Sequence, residues 1–380
     1  MSQSFGVGVV GFGNRIAVLV ADLLKTQPRI KLVAVADPSE DSIATARRLA
    51  PDVQVCRDYT QLLANPHVRW VLIGSPNALH REHAIGALRS GRDVFAEKPL
   101  ATTLDDCLAI RQAIRDTGSS FFFGLVLRYA ELYTRVRKLL DDRSIGEIIS
   151  VEANENLGFN HGGFIHQDWR RLRANAGTHM LEKCCHDIDI INWMVGSRVR
   201  YAASFGGLRY FIPANRFLVD KIGPSPTGRP AFREWPVSHN DPFTPDKDIV
   251  DHQVAILEFD NGVRATFHTN CAAAILERRL LLLGTEGAIR ADLNTGRVEF
   301  RRLGWEEPTV VYQASVADHG GADTHLVQAI AKWILDGKFP LTTIDHALES
   351  AITCFGIDAA LDERRVVDLL PLWKQAGIAR

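Results

Sequence analysis

Cysteine is scarce and scattered. The six residues at positions 56, 107, 184, 185, 271 and 354 form no C-x-x-C, and no cysteine–histidine cluster has ligand spacing. That pattern excludes a disulfide scaffold and a zinc module, so no metal is expected, and the cysteines read as reduced cytosolic thiols that pack as small apolar side chains. Long hydrophobic runs are missing too: no uncharged apolar stretch approaches the roughly 20 residues of a membrane span. The first residues show no basic, apolar and small-residue leader pattern. Neither sign of charge dominates, with 44 Lys+Arg against 45 Asp+Glu, a net charge of −1 and a pI near 6.9. No Lys/Arg run reaches the length of a nucleic-acid tail. The expectation is a cytoplasmic protein without a nucleic-acid or membrane partner. What is present is an ordinary globular mixture, 46% hydrophobic and 23% charged, in a chain of 380 residues, which suits two domains.

Short apolar strands alternate with helical patterns through the first third. Strands are expected over 5–10, 31–36, 68–73, 93–96 and 121–127. Helices are expected over 14–25, from Ser39 or Glu40, over 79–89 and over 103–116. Strand–helix alternation with unbroken apolar strands predicts a doubly wound parallel sheet of Rossmann type, an α/β domain spanning 1–127. Beyond about Gly146 the pattern changes. A longer strand over 148–156, a hairpin over 251–269 turning at Asn261-Gly262 with type I′ geometry, and strands over 279–283, 288–293 and 297–302 predict a mostly antiparallel, open-faced sheet. Helices over 322–336 and 345–362 complete an α+β domain, 128–380. Seven of the sixteen prolines (213, 224, 226, 230, 236, 242 and 245) fall in one stretch. Residues 213–247 are therefore expected to form an irregular excursion: a lid, an oligomer arm or a plain surface loop.

Gly11-Phe12-Gly13, followed by Asn14 and Arg15, sits where the first strand meets the first helix. A glycine turn there lets a pyrophosphate approach the backbone and the positive helix end. The third glycine of G-x-G-x-x-G is replaced by Ile16, which loosens the motif. A preceding strand, a following helix and an acidic residue closing the second strand restore it. That residue, Asp37, can accept hydrogen bonds from adenosine ribose hydroxyls and repels a 2′-phosphate, favouring NAD over NADP; the alternative is a cap for the next helix. Ser75-Pro76-Asn77 with His80, and Glu97-Lys98-Pro99, follow strand ends on the ligand side of such a sheet, although Ser-Pro-Asn is also ordinary turn material.

Residues 178–194 read as one helix. Glu182, His186 and Asp189 share a face at spacings of four and three. A carboxylate beside an imidazole fixes its tautomer and raises its basicity, and histidine is the natural acceptor of an alcohol proton near neutral pH. The same three residues could instead form a satisfied polar network in the core. Polar, glycine-rich loops before the helix offer His161, His166, Asp168, Arg171, Thr178 and His179 as contacts for a polyhydroxylated ligand. Arg171 and Arg173 with the histidines could hold an anionic group.

Taken together, Gly-Phe-Gly, Asp37, Ser75-Pro76-Asn77-Ala78-Leu79-His80, Glu97-Lys98-Pro99-Leu100, Gly124–Arg128 and Glu182–Asp189 resemble the glucose–fructose oxidoreductase/inositol dehydrogenase/rhizopine catabolism (Gfo/Idh/MocA) family. The resemblance spans most of the chain and is most specific in the Glu-Lys-Pro loop. It implies a Rossmann domain, an open-faced C-terminal sheet, dimers or tetramers built through that sheet, and oxidation or reduction of a sugar, polyol or sugar acid at a CHOH carbon. It further implies that Lys98 hydrogen-bonds the reacting oxygen, that Arg128 lies near the nicotinamide, and that Trp169 and Arg170 correspond to a Trp-Arg pair near the cofactor amide. Where the family usually has Asp, this chain has Glu182, one methylene longer. Lys98, His186 and Glu182 are the expected catalytic groups. The rival expectations are a redox-neutral, NAD-dependent glycosidase (some relatives oxidise a sugar carbon transiently, eliminate the substituent, add water and return the hydride), a non-catalytic sugar-sensing regulator, and a reductase of a non-sugar substrate.

Overall fold

In a computed structural model the described residues are 4–232, 241–314 and 318–378. Two compact units emerge, Met1–Glu131 with Gly321–Ala351, and Leu132–Gly320 with Ile352–Arg380. The expected division at 127/128 placed 321–351 with the second domain, but this segment packs with the first. Helix Ala322–Asp336 lies on helix Asn14–Thr26. Trp333 Nε1 donates to Ser120 Oγ at 2.6 Å and Thr342 Oγ1 to the Phe123 carbonyl at 2.6 Å. No sequence motif announces this return, because it is made by packing and isolated hydrogen bonds.

The first unit carries six strands: β1 Phe5–Val10, β2 Ile30–Ala36, β3 Gln54–Cys56, β4 Trp70–Ile73, β5 Asp93–Ala96 and β6 Phe121–Phe123. Their order is β3-β2-β1-β4-β5-β6, and every pairing is parallel, the Rossmann arrangement. Central residues such as Val9, Val35, Leu72 and Phe95 are buried, as a sheet covered on both faces requires. In helix Asn14–Thr26, Ile16, Leu19, Val20 and Leu23 form the buried stripe. The expected 121–127 strand ends at Phe123, and Val126–Tyr129 closes into a 3₁₀ turn.

The second unit is built on nine strands: β7 Ile148–Gly158, β8 Val199–Gly207, β9 His252–Phe259, β10 Arg264–Ala273, β11 Arg279–Gly284, β12 Gly287–Asp292, β13 Arg297–Arg302, β14 Thr309–Gln313 and β15 Val367–Asp368, in the order β14-β13-β12-β11-β7-β10-β9-β8-β15. Only β7 and β10 run parallel. The β9–β10 hairpin is present, but its turn is not type I′. Among the described residues only Arg143 and Arg364 combine a side chain with positive φ, so Asn261 has negative φ. Gly262 alone is left-handed, at φ +83°, and donates to the Phe259 carbonyl at 2.9 Å. This is the three-residue form in which a glycine bulge absorbs the twist. On one face β9 exposes Val254 and Ile256 beside Phe205 of β8. Pro236 of the proline-rich excursion lies outside the described residues, whereas 213–232 and 241–247 lie within them. Among the described residues no helix is long and apolar enough to cross a membrane.

The missing third glycine has a structural counterpart. Ile16 is buried, and a Cβ on Gly74, just past β4, would lie 2.7 Å from the Ile16 Cβ and 2.9 Å from the Gly11 carbonyl oxygen. The space usually opened on the helix is opened here on the neighbouring strand end. Gly74→Ala should lower unfolding stability in urea by about 1–3 kcal/mol. A change below the error of that measurement would mean that Ile16 can move aside.

Candidate functional site

The cofactor crest is built where β1, β2 and β4 end together. Gly11 has φ +78°, and a Cβ there would stand 2.3 Å from the Ser75 amide nitrogen, so backbone meets backbone. Gly13 caps the next helix without a side-chain hydrogen bond, and a Cβ on it would meet nothing within 4 Å. The first-turn amides, starting at Asn14, therefore face open space at the positive helix end. Asp37 accepts from Phe12 N at 2.5 Å and Ser39 N at 2.8 Å, tying the glycine turn to the end of β2. The helix cap is Ser39, whose Oγ accepts from Ser42 N. Each carboxylate oxygen of Asp37 keeps a second lone pair for a ribose hydroxyl.

Two further loops stand beside this crest. Glu97 is buried, and its Oε1 lies 3.3 Å from Arg15 Nε, an ion pair without full hydrogen-bond geometry. Arg15 also reaches Asp323 at 2.7 Å, so its charge is already engaged. An uncapped helix end and a turn where only glycine fits suit a bound dinucleotide. Gly11, Gly13, Asp37 and Glu97 are the residues that would hold it. Ser75, Asn77 and Arg128 are buried nearby in the same unit, and Lys98 is half-buried. His80 departs from expectation. Its Nδ1 lies 2.7 Å from the Pro99 carbonyl and its Nε2 2.9 Å from the Ser75 carbonyl. With both nitrogens taken and 1% of its surface exposed, it braces the Ser75 and Lys98 loops rather than facing a ligand.

In the second unit the expected single helix is two, His179–Glu182 and Cys185–Val195. The break at Lys183-Cys184 turns Lys183 into the core, where Nζ meets Glu155 of β7 at 2.6 Å. Arg278 completes the cluster, 3.2 Å from Glu155 and bidentate to Asp187 at 2.7 Å on each arm. Burial alone would raise Glu155, yet Arg278 and Lys183 hold it below the usual carboxylate range. Burial pushes Asp187 up against the pull of Arg278, with Glu155 adding to the rise. Sequence reasoning missed this quartet.

Glu182, His186 and Asp189 are all buried. Glu182 Oε1 accepts from Arg170 Nε at 3.1 Å, and Arg170 Nη1 reaches Asp168 at 2.5 Å. The Arg170 guanidinium lies 4.2 Å from the Trp169 ring and 4.8 Å from that of Phe164, so Asp168, Trp169, Arg170 and Glu182 do assemble. Burial raises the Asp168 carboxyl despite Arg170. Other expected contacts are diverted. His166 is fully buried and stacks on Phe211 at 4.6 Å. His179 is buried between Thr269, Cys184 and Cys271. Thr178 caps its helix and donates to Asp358. Burial lowers both imidazoles, His179 to about 4. Arg171 is held by Asp246 at 2.7 Å and Arg173 by Asp362 at 3.0 Å, so neither arginine is an open anion site. His161 alone of the histidines before the helix is exposed. The excursion reaches this loop: besides Asp246, Asp248 accepts from Arg173 N at 2.6 Å.

The Rossmann order and the glycine crest define a dinucleotide-binding domain. The model of an oxidoreductase family with an NAD-binding Rossmann fold matches residues 5–125, and that of the GFO/IDH/MocA C-terminal domain matches 133–290. The chain belongs to the GFO/IDH/MocA family. It is similar to 2,7-anhydro-N-acetylneuraminate hydratase of Escherichia coli (25% identical, covering 82% of this chain and 74% of that one). It is also similar to inositol 2-dehydrogenase of Gluconacetobacter diazotrophicus (29% identical, over 51% and 55%). The crystal structure of scyllo-inositol dehydrogenase from Lactobacillus casei with NAD(H) and scyllo-inositol shares the fold, with a TM-score of 0.74 and 20% identity over 97% of this chain and 99% of that one.

Asp358 lies under the Thr178 cap, 6% exposed, and burial pushes its carboxyl up to about 7. Its folded value exceeds its unfolded one, so its contribution is complete at low pH and is lost as pH rises through about 7. The loss is of the order of 4 kcal/mol at most. Urea unfolding of Asp358→Asn should fall less between pH 5 and 8 than that of the wild type; parallel profiles would remove Asp358 from this account.

Proposed function

We propose that this oxidoreductase uses NAD, rather than NADP, on the CHOH carbon of a sugar, polyol, sugar acid or glycoside. The observation that carries the reading is a buried histidine, His186, following a Glu182–Arg170–Asp168 chain, in a protein whose other unit is an NAD-binding Rossmann domain. The relatives named for inositol and an anhydro-sialic acid support the substrate class. Bound NAD would supply a hydride acceptor. His186 takes the hydroxyl proton, and Lys98 hydrogen-bonds the oxygen as charge develops on it. Glu182, anchored by Arg170, orients the polyol. Arg128, Asn14, Pro76, Asn77, Trp169 and Arg170 stay assigned to the cofactor surroundings, and His161 and Asp168 to substrate. Asp37 favours NAD, because a 2′-phosphate there would meet a carboxylate already fixed by two amides.

A redox-neutral reaction is the second reading. Asp168, raised by burial, adds a protonatable carboxyl of the kind that elimination and water addition need, and one relative is named a hydratase. We further propose a cytoplasmic homodimer or homotetramer. Six cysteines without a disulfide suit a reducing compartment, and the exposed row of Phe205, Val254 and Ile256 suits self-association through the sheet.

The test is incubation with NAD and a panel of sugars, sugar acids and glycosides, following NADH absorbance and aglycone release together. NADH without release is the expected outcome. Release without net NADH would replace oxidation by the redox-neutral course, and neither signal across the panel would sink both. With the substrate found, Lys98→Met should cut kcat by about 100-fold or more, and Asp37→Ala should narrow the NAD/NADP preference. An unchanged preference would show that Asp37 does not read the ribose.

A further inference from the structure

Within the second unit, β10 separates two environments. Thr269 and Cys271 point to His179, and Asn270, between them, points to the opposite face of the sheet. There a cavity of about 400 Å³ is lined by Arg209, Tyr210, Asp251, His252, Asn270 and Ala272. A volume of that size suits one small ligand.

Its polar groups are held in place from behind. Asp251 is 2% exposed, and its carboxylate accepts from the backbone amides of Arg209, Tyr210 and Phe211 at 3.0, 2.6 and 2.9 Å. Those donors absorb its charge and fix the loop that carries Arg209. The same carboxylate lies 2.9 Å from His252 Nδ1, which sets the tautomer and leaves Nε2 as the ring nitrogen for a ligand. Asn270 Oδ1 accepts from Ala272 N at 2.7 Å, so its amide presents N–H donors. Arg209 is exposed and makes no ion pair among the described residues. The cavity thus offers one cation, one amide donor and one imidazole lone pair, each pre-oriented.

We infer that this outer-face cavity is a second small-molecule site, for a hydroxycarboxylate. The carboxylate sits on Arg209 and the Asn270 amide, and a neighbouring hydroxyl donates to His252 Nε2. The site is distinct from Glu182 and His186, whose helical segment begins at His179 on the other face of the sheet; it shares its face with Val254 and Ile256, so the proposed self-association would enclose it.

Calorimetric titration of the full-length protein with gluconate, glucitol and hexanoate tests it, alongside ¹⁵N-histidine spectra. Gluconate should bind and shift the His252 resonance, identified by its loss in His252→Gln. Glucitol, without the carboxylate, and hexanoate, without hydroxyls, should each need about tenfold higher concentration or more to shift the His252 resonance, whatever glucitol does at the substrate site. Arg209→Gln, at an exposed side chain, should weaken gluconate by a similar factor. Equal binding of hexanoate would overturn the hydroxyl contact. Gluconate binding that ignores Arg209→Gln and responds to Lys98→Met would place it at the substrate site and overturn the proposal, as would no binding at all.

Discussion

The first unit depends on how closely three strand ends converge. Gly11 lies against the Ser75 backbone with no room for a side chain, and Gly74 lies against Ile16 in the same way. This proximity lets one carboxylate, Asp37, reach both the glycine turn and the start of the next helix. It also lets one imidazole, His80, span the loops of Ser75 and Lys98. The helix end at Gly13 is uncapped and exposed, so its free amides are open to water or a ligand.

The second unit solves a different problem. Its helices bring Lys183, Asp187, Glu182 and His186 to a buried face, where unpaired charge would be costly. Lys183 and Asp187 are absorbed by Glu155 and Arg278 from the sheet, and Glu182 by Arg170. Partners come from β7, from the loop before β11 and from the Trp169 turn, so this polar layer fixes helix placement against the sheet more specifically than apolar packing alone.

Much of this was legible in the sequence, for identifiable reasons. The Rossmann sheet was readable because apolar strands and amphipathic helices carry their own periods, and Gly11, Asp37 and Glu97 because backbone conformation or charge at a strand end leaves few alternatives. Glu182 and His186 emerged from helical spacing and Arg170 from the family resemblance, but the Glu182–Arg170 contact did not show. What failed to show was long-range. The helix break at Lys183 is set by Glu155, 28 positions away. His166 and His179 looked like ligand donors because sequence cannot tell a buried histidine from an exposed one. Arg171 looked open because its partner, Asp246, arrives from the far end of a proline-rich excursion. Strands β3, β8, β14 and β15 went unread because their identity lies in their pairing.

The return of 321–351 to the first unit changes what that unit is in time. During synthesis the six parallel strands leave the ribosome long before helix Ala322–Asp336, which covers helix Asn14–Thr26 and brings Asp323 to Arg15. The nascent Rossmann sheet must therefore wait, with that flank uncovered, while nearly two hundred further residues emerge. Each unit is therefore closed by a segment made after the other has begun, the first by 321–351 and the second by 352–380, so neither is finished when its own sheet strands first emerge.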